Sequence, residues 1–289
     1  MNELQAAVLH WYHGSLVAKF PGGPFPFGLA SDGAFIWVAN NNGDSVSRIR
    51  ACDGSPVGTF PAGTSPEELA FDGASVWATN FGSNNVSRLR ASDGANLGTF
   101  GVGVGPEGIA FDGSHLWVAN SGSNTVTKLR ASDGAVLGTF GVGNQPRAVA
   151  FDGRHVWVTN RLSNTMTKLR ASDGLVLGTF AVGVFPVGVA YDGGHIWVAN
   201  ANSNNVMKLR VVDGARVGTF PVGNGPRGLA FDGVHMWVAN TNDGTVSKLR
   251  ASDGAEVGRF PTGQGPQHLA FDGAFMWVSN SVDDSLAKL

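Results

Sequence analysis

"GIAFDGSHLWVANSGSNTVTKLRASDGAVLGTF", residues 108–140, has a close copy on either side at a spacing of 40 residues, and such copies run along the chain. Its Trp117 has equivalents at Trp37, Trp77, Trp157, Trp197, Trp237 and Trp277, so seven units follow one another without drift. A period of this length marks a repeat array, in which each unit buries its apolar faces only against its neighbours. Residues 1–289 are therefore read as one domain, although length alone would favour two at ~150 residues each.

Within the unit, "EGIAF" (107–111) is a short apolar strand ended by Asp112-Gly113, a dipeptide suited to the positive φ values of a tight hairpin. "HLWVA" (115–119) returns beside it, a polar loop spans residues 120–124, and "TVTKLR" (125–130) makes a third strand. Asp133-Gly134 turns the chain into a fourth, "AVLGTF" (135–140), and "GVGNQP" connects to the next copy. Four antiparallel strands in ~40 residues make one propeller blade. No segment has helical periodicity. The fold class expected is all-β: a single seven-bladed β-propeller with blades 21–60, 61–100, 101–140, 141–180, 181–220, 221–260 and 261–289. That last copy stops at "SLAKL" (285–289), one strand short, and residues 11–20, "WYHGSLVAKF", align with the fourth-strand segment "ACDGSPVGTF" (51–60). The N-terminus is expected to supply the missing outer strand and remove the exposed edge. Residues 1–9 receive no place in the scheme.

Composition narrows the functional classes. The 42 glycines sit at fixed places among 43% hydrophobic residues, so they are turn chemistry in a packed protein. A formal charge of −2 gives no case for nucleic acid or an anionic membrane as partner. No run approaches the ~18 apolar residues of a membrane helix, and residues 1–20 lack a basic start followed by an apolar core. A cytoplasmic location is the default expectation, an exported one if a leader preceded this chain, and a monomer is expected. The single cysteine, Cys52, stands where four other copies have serine, excluding a disulfide framework. Neither a cofactor nor a metal is implied.

The conspicuous repeated residues read as scaffold. The seven tryptophans fill gaps between wedge-shaped blades. The asparagine ring (Asn40, Asn80, Asn120, Asn160, Asn200, Asn240, Asn280) is placed to satisfy loop backbone groups. His115, His155, His195 and His235 lie one per blade, with sheets packing ~10 Å apart, too far to share a zinc whose ligands lie about 2 Å away. They are expected to stabilise turns. Two positions of the third strand carry 13 of the 20 basic residues and two turn positions 13 of the 22 acids, which reads as stems packed on the blade with local pairing. "GVGVGPEG" leads into a strand rather than a helix, so it is no phosphate-binding loop.

The copies diverge immediately after the connecting proline. There the residues are Phe27, Glu67, Glu107, Arg147, Val187, Arg227 and Gln267, and the next position is Gly or Ala except at Glu68 and His268. These positions begin the innermost strand and should face the central funnel, with loop residues Phe25, Phe81, Arg161 and Phe185 nearby. The candidate ligand-binding residues are Phe27, Glu67, Glu68, Phe81, Glu107, Arg147, Arg161, Phe185, Arg227, Gln267 and His268: an acidic arc, a basic arc and aromatics on one ring.

The unit, with "WVAN" on the second strand, "SNTV" opening the third and "VGxxPxGxAFDG" leading on, resembles the YVTN-type bacterial β-propeller repeats. It is also similar to the streptogramin B (virginiamycin B) lyase group and, more loosely, to NHL repeats. The resemblance covers residues 21–289 and implies the fold. For the lyases it further implies histidines at post-proline positions of the later blades and an acid at the end of a second strand, acting with magnesium in an elimination. The corresponding residues here are Arg227, Gln267 and Asn280, none of which fits, and His268 stands one residue past the matching place, where strand alternation turns it to the other face. Three classes remain, in this order: a binding module presenting its funnel face to a peptide, protein or small polar ligand; a small-molecule enzyme using Glu67, Glu107 and Arg147; and a lectin with one pocket per blade. The purified protein is expected not to linearise streptogramin B depsipeptides, which mass spectrometry of the product would check.

Overall fold

The computed structural model describes residues 18–289. Seven four-stranded antiparallel sheets form a ring, six of them running in chain order from an innermost to an outermost strand. Blade one comprises Pro26–Ser31, Phe35–Asn40, Ser45–Arg50 and Pro56–Pro61. Among the described residues the only helical segments are two single 3-10 turns, Asn41–Gly43 and Ala201–Ser203, and no helix there is long and apolar enough to cross a membrane.

Ala18–Pro21 pairs antiparallel with Ser285–Lys288, register Phe20 opposite Leu286, and so forms the outer strand of the last sheet. The ends of the ring are thereby joined, as the alignment of residues 11–20 requires. Residues 11–17 of that alignment, and residues 1–9, lie outside the described residues. Three further contacts secure the seam: Lys288 Nζ donates to Ala51 O at 2.7 Å, Ser279 Oγ donates to Phe27 O, and Trp277 packs with Leu29, Ile36, Val38 and Ile49 of blade one.

Each tryptophan does two jobs. Its ring packs into the facing sheet of the next blade, as Trp37 does against Leu69, Val76, Ala78 and Leu89. Its Nε1–H donates back to the Asp-Gly turn of its own blade, at 2.7–2.8 Å in all seven copies. The same aspartate accepts two turn N–H groups through its other oxygen; Asp152 Oδ1 takes those of Arg154 and His155. A large apolar ring can be buried here because its one polar atom is satisfied.

The fourth-strand phenylalanine completes the joint. Phe60 lies 5.7 Å from Trp37, centroid to centroid, and its far edge enters the next blade's second turn at Gly94. Gly94 has φ +76°, and a Cβ there would meet Phe60 at 2.1 Å, so any side chain would be strained and crowded at once.

The first basic residue of the third strand behaves differently from the expected local pairing. Lys128 Nζ lies 5.1 Å from the Trp117 ring and donates to Ala171 O, the backbone of the next blade, at 2.7 Å. Buried lysines and arginines at this position thus cross the interface, although Lys208 keeps its own turn's Asp192 within 3.5 Å. The second basic residue pairs locally, as Arg90 does with Asp93 at 2.9 Å. The histidines conform to the turn reading, His155 Nδ1 lying 3.1 Å from Asp152. The asparagines are fully buried, Asn80 accepting from Gly63 N–H and donating to Asn85 and Ser87.

The turn carboxyls govern acid stability. Burial disfavours ionisation of Asp112, Asp152, Asp192 and Asp232, but the indole and backbone N–H donors outweigh it and hold all four below the usual carboxylate range. Because the folded pKa is depressed, their contribution is complete above the unfolded value of about 3.9 and is lost as pH falls from there through the lower folded value. Asp152→Asn is expected to flatten the acid limb of stability against pH, and Asp152→Ala to cost about 1–3 kcal/mol per orphaned donor in denaturant unfolding.

Candidate functional site

Every first strand breaks register at the two residues after its proline: in blade three, pairing jumps from Pro106 to Ile109, leaving Glu107 and Gly108 in a bulge. A bulge re-aims side chains. Here it places both members of the pair on the lumen, so Gln267 and His268 line one cavity of about 150 Å³ on the ring axis. This corrects the expectation that strand alternation turns His268 away.

The second bulge residue follows a rule set by the neighbouring strand. Where it is Gly28, Gly108, Gly188 or Gly228, the facing second-strand residue is Ala39, Ala119, Ala199 or Ala239; where it is Glu68, Ala148 or His268, that residue is Thr79, Thr159 or Ser279. In the latter three the hydroxyl accepts the bulge N–H at 3.0–3.1 Å and donates to a carbonyl of the next blade, those of Glu107, Val187 and Phe27 respectively. The hydroxyl fixes the peptide, and each bulge glycine leaves room for the bulge backbone of the blade that follows it. A Cβ on Gly28 would lie 2.4 Å from Glu67 O.

The acidic and basic arcs meet across the lumen. Arg147 reaches from blade four, its Nη1 contacting Glu107 Oε2 at 2.5 Å and Glu67 Oε2 at 3.2 Å, while its guanidinium lies 5.1 Å from the Phe27 ring of blade one. Arg161 Nη2 reaches Glu107 Oε1 at 3.4 Å, is held by Gln145 Oε1 at 3.0 Å and lies 5.3 Å from the Phe185 ring. Asn41 Nδ2 donates to Glu67 Oε1 at 3.1 Å. One layer along, Glu68 Oε2 meets His268 Nε2 at 2.9 Å, joining blades two and seven across blade one. Arg227 Nη1 donates to Gln267 Oε1 at 3.3 Å, and Gln267 Nε2 to Ser281 Oγ.

Phe27, Glu107, Arg147 and Gln267 are buried, while Glu67, Glu68, Arg161, Phe185, Arg227 and His268 are partly so. The aromatics are therefore less exposed than a free docking face requires. Phe81, at 42% exposure, stands apart on the rim near Gly105 and joins none of these pairs. Asn41, Gln145 and Ser281 were not among the candidates. Asn41 and Ser281 occupy the variable position after the asparagine ring that also yields Arg161, and Gln145 directly precedes a connecting proline.

The residue before each proline lies in the left-handed region in all seven blades. Three copies use glycine there (Gly105, Gly225, Gly265), whereas four carry Phe25 (φ 53°), Ser65 (51°), Gln145 (50°) and Phe185 (59°). A side chain in this conformation costs ~1–2 kcal/mol. Three of these four residues support funnel arginines: Phe25 stacks at 6.3 Å on Phe27, the ring beneath Arg147, and Gln145 and Phe185 hold Arg161.

Burial raises the Glu67 carboxyl above its usual range, Arg147 offsetting part of the effect and Glu107 adding to it. For Arg147, burial opposes the charge, but Glu107 and Glu67 outweigh it and strengthen proton retention. Arg227 moves the other way, through burial and then repulsion by Arg147 and Arg161. Among the described residues, no three His, Cys, Asp or Glu side chains converge as metal ligands.

These features define a seven-bladed β-propeller with an internally cross-linked, charged axial funnel. No family model and no curated protein matches the sequence. Solved structures share the fold: a hydrazine synthase from Kuenenia stuttgartiensis has TM-score 0.83 at 20% identity, covering 96% of this chain and 97% of that one. A streptogramin B lyase has TM-score 0.80 at 16% identity, covering 94% and 96%. The likeness is one of architecture. At the positions the lyase resemblance singles out, Arg227 and Gln267 bond to each other, and Asn280 is fully buried on Ser285.

Removing Arg147 would leave Glu67 and Glu107 buried beside each other. Arg147→Met is expected to cost about 3–5 kcal/mol near neutral pH. The loss should shrink as pH falls, since carboxylates with raised folded pKa values give up stability as pH rises through those values. The triple variant Arg147→Met/Glu67→Gln/Glu107→Gln should recover most of the loss in urea unfolding.

Proposed function

We propose that this propeller is a binding module whose axial funnel recognises a small polar ligand. The observation that carries this reading is the placement of backbone strain. Phenylalanine stands at two left-handed rim positions where other copies use glycine: Phe185 lies under Arg161, and Phe25 stacks on Phe27, whose ring lies under Arg147. Strain that persists where a cheaper residue is available points to function. The cavity of about 150 Å³ is below the ~300–1,000 Å³ of sites for drug-sized ligands, which favours a small molecule over a peptide or protein segment inside the lumen.

A second reading, acid–base catalysis, is favoured by one observation, the elevated proton affinity of Glu67 between Arg147 and Glu107. Any turnover through that site should disappear in Glu67→Gln. A lectin with one pocket per blade has less support, because the crevices recurring between blades are lined by the scaffold's turn aspartates, basic residues and histidines.

Phe25→Gly and Phe185→Gly separate function from folding. Relieved strain of ~1–2 kcal/mol is offset by lost cation–π or ring stacking and by glycine's extra chain entropy of ~0.5–1 kcal/mol, so stability should stay within about 1 kcal/mol. In a protein-observed NMR screen of small polar compounds, binders should shift resonances of Arg147, Arg161, Arg227 and Gln267, and both variants should weaken binding. Shifts confined to the outer strands, or binding unaffected by either variant, would contradict the proposal.

A further inference from the structure

Arg147 and Arg161 share the carboxylates of Glu67 and Glu107, and Glu68 is taken by His268. Arg227 has one hydrogen-bond partner among the described residues, the neutral Gln267 Oε1 at 3.3 Å. It is only partly exposed, lines the axial cavity with Arg147, and its guanidinium stays charged at any ordinary pH. Buried charges in folded proteins are answered by opposite charge. The half of the lumen between Arg147 and Arg227, floored by Val187 and the glycines of blades five and six, contains no carboxylate to do so. Arg147 meets both Glu67 and Glu107 through Nη1.

We infer that this half of the cavity binds a small monocarboxylate, its two oxygens bridging the guanidinium forks of Arg227 and Arg147, and its short body against Val187, Gly188 and Gly228. The inference rests on the small-ligand reading above and adds the ligand's chemistry. A planar carboxylate matches a guanidinium fork in two parallel hydrogen bonds. A dianionic phosphate would bring a second negative charge into a lumen already holding Glu67, Glu68 and Glu107. A volume of about 150 Å³ corresponds to roughly five water molecules, which sets the scale at a two- to four-carbon acid.

The test is calorimetric titration and thermal unfolding of the full chain with propionate, 2-hydroxypropionate, propionamide and inorganic phosphate. The two acids should bind and raise the unfolding midpoint, while propionamide and phosphate should not. Arg227→Met should weaken propionate binding about tenfold or more. Without ligand that variant should be at least as stable as the parent, because the deleted charge has no acidic partner. Arg216→Met, on the exposed outer strand Arg216–Pro221, should change neither property.

Equal binding of propionamide or phosphate, undiminished binding by Arg227→Met, or a loss of ligand-free stability in Arg227→Met as large as in Arg147→Met would overturn the inference. Funnel binding of neutral polar compounds alone would reject the carboxylate and leave the small-ligand reading standing. Absence of any funnel response across the screen would reject both.

Discussion

The indole-to-turn hydrogen bond underlies the whole ring. A tryptophan donating to the aspartate of its own hairpin is locked in orientation, and only then does its ring present a fixed wedge to the next blade. Carbonyl-seeking lysines and arginines and the phenylalanine that enters the neighbour's glycine turn act at the same interface. Each blade therefore depends on its neighbour, and the last depends on the first through Ala18–Pro21. Dispersion, a satisfied polar atom and a cation over a π face coincide on one residue, which accounts for its recurrence in all seven copies.

A ring built this redundantly can carry irregularity at its centre. The post-proline bulges lie where the inner strands converge, so seven independent choices of side chain face one axis. The protein fills those places with three acids and two arginines rather than an apolar plug, brings in Arg161 from the loop after Asn160, and adds strained phenylalanines that buttress Arg161 directly and Arg147 through Phe27. The covariation of bulge residue with second-strand hydroxyl has a physical origin in the backbone. A bulge peptide that carries a side chain receives a hydroxyl to fix its N–H and to bind the adjoining blade. Shared architecture with a hydrazine synthase and a streptogramin B lyase leaves this centre unaddressed, because the identity is too low to transfer any residue's role.

Much of the molecule is legible in its sequence because each blade is specified locally. The 40-residue period gives the number of blades, the Asp-Gly turns delimit the strands, and the alignment of residues 11–20 with a fourth strand places Ala18–Pro21 on the terminal sheet. The variable post-proline ring is equally visible as the place where the copies stop agreeing. What the amino-acid order does not express is pairing between these positions. Arg147 and Glu67 are 80 residues apart, and His268 meets Glu68 across an intervening blade, so no periodicity or spacing rule links them. Only closure of the ring sets those distances, and only the bulge puts two consecutive side chains on one side. The sequence by itself determined the repeated joints, in which partners lie within one unit or in adjacent units. The tertiary structure decided which charges neutralise one another and which arginine is left without an acid, because the axis is the one place where all seven units meet at once.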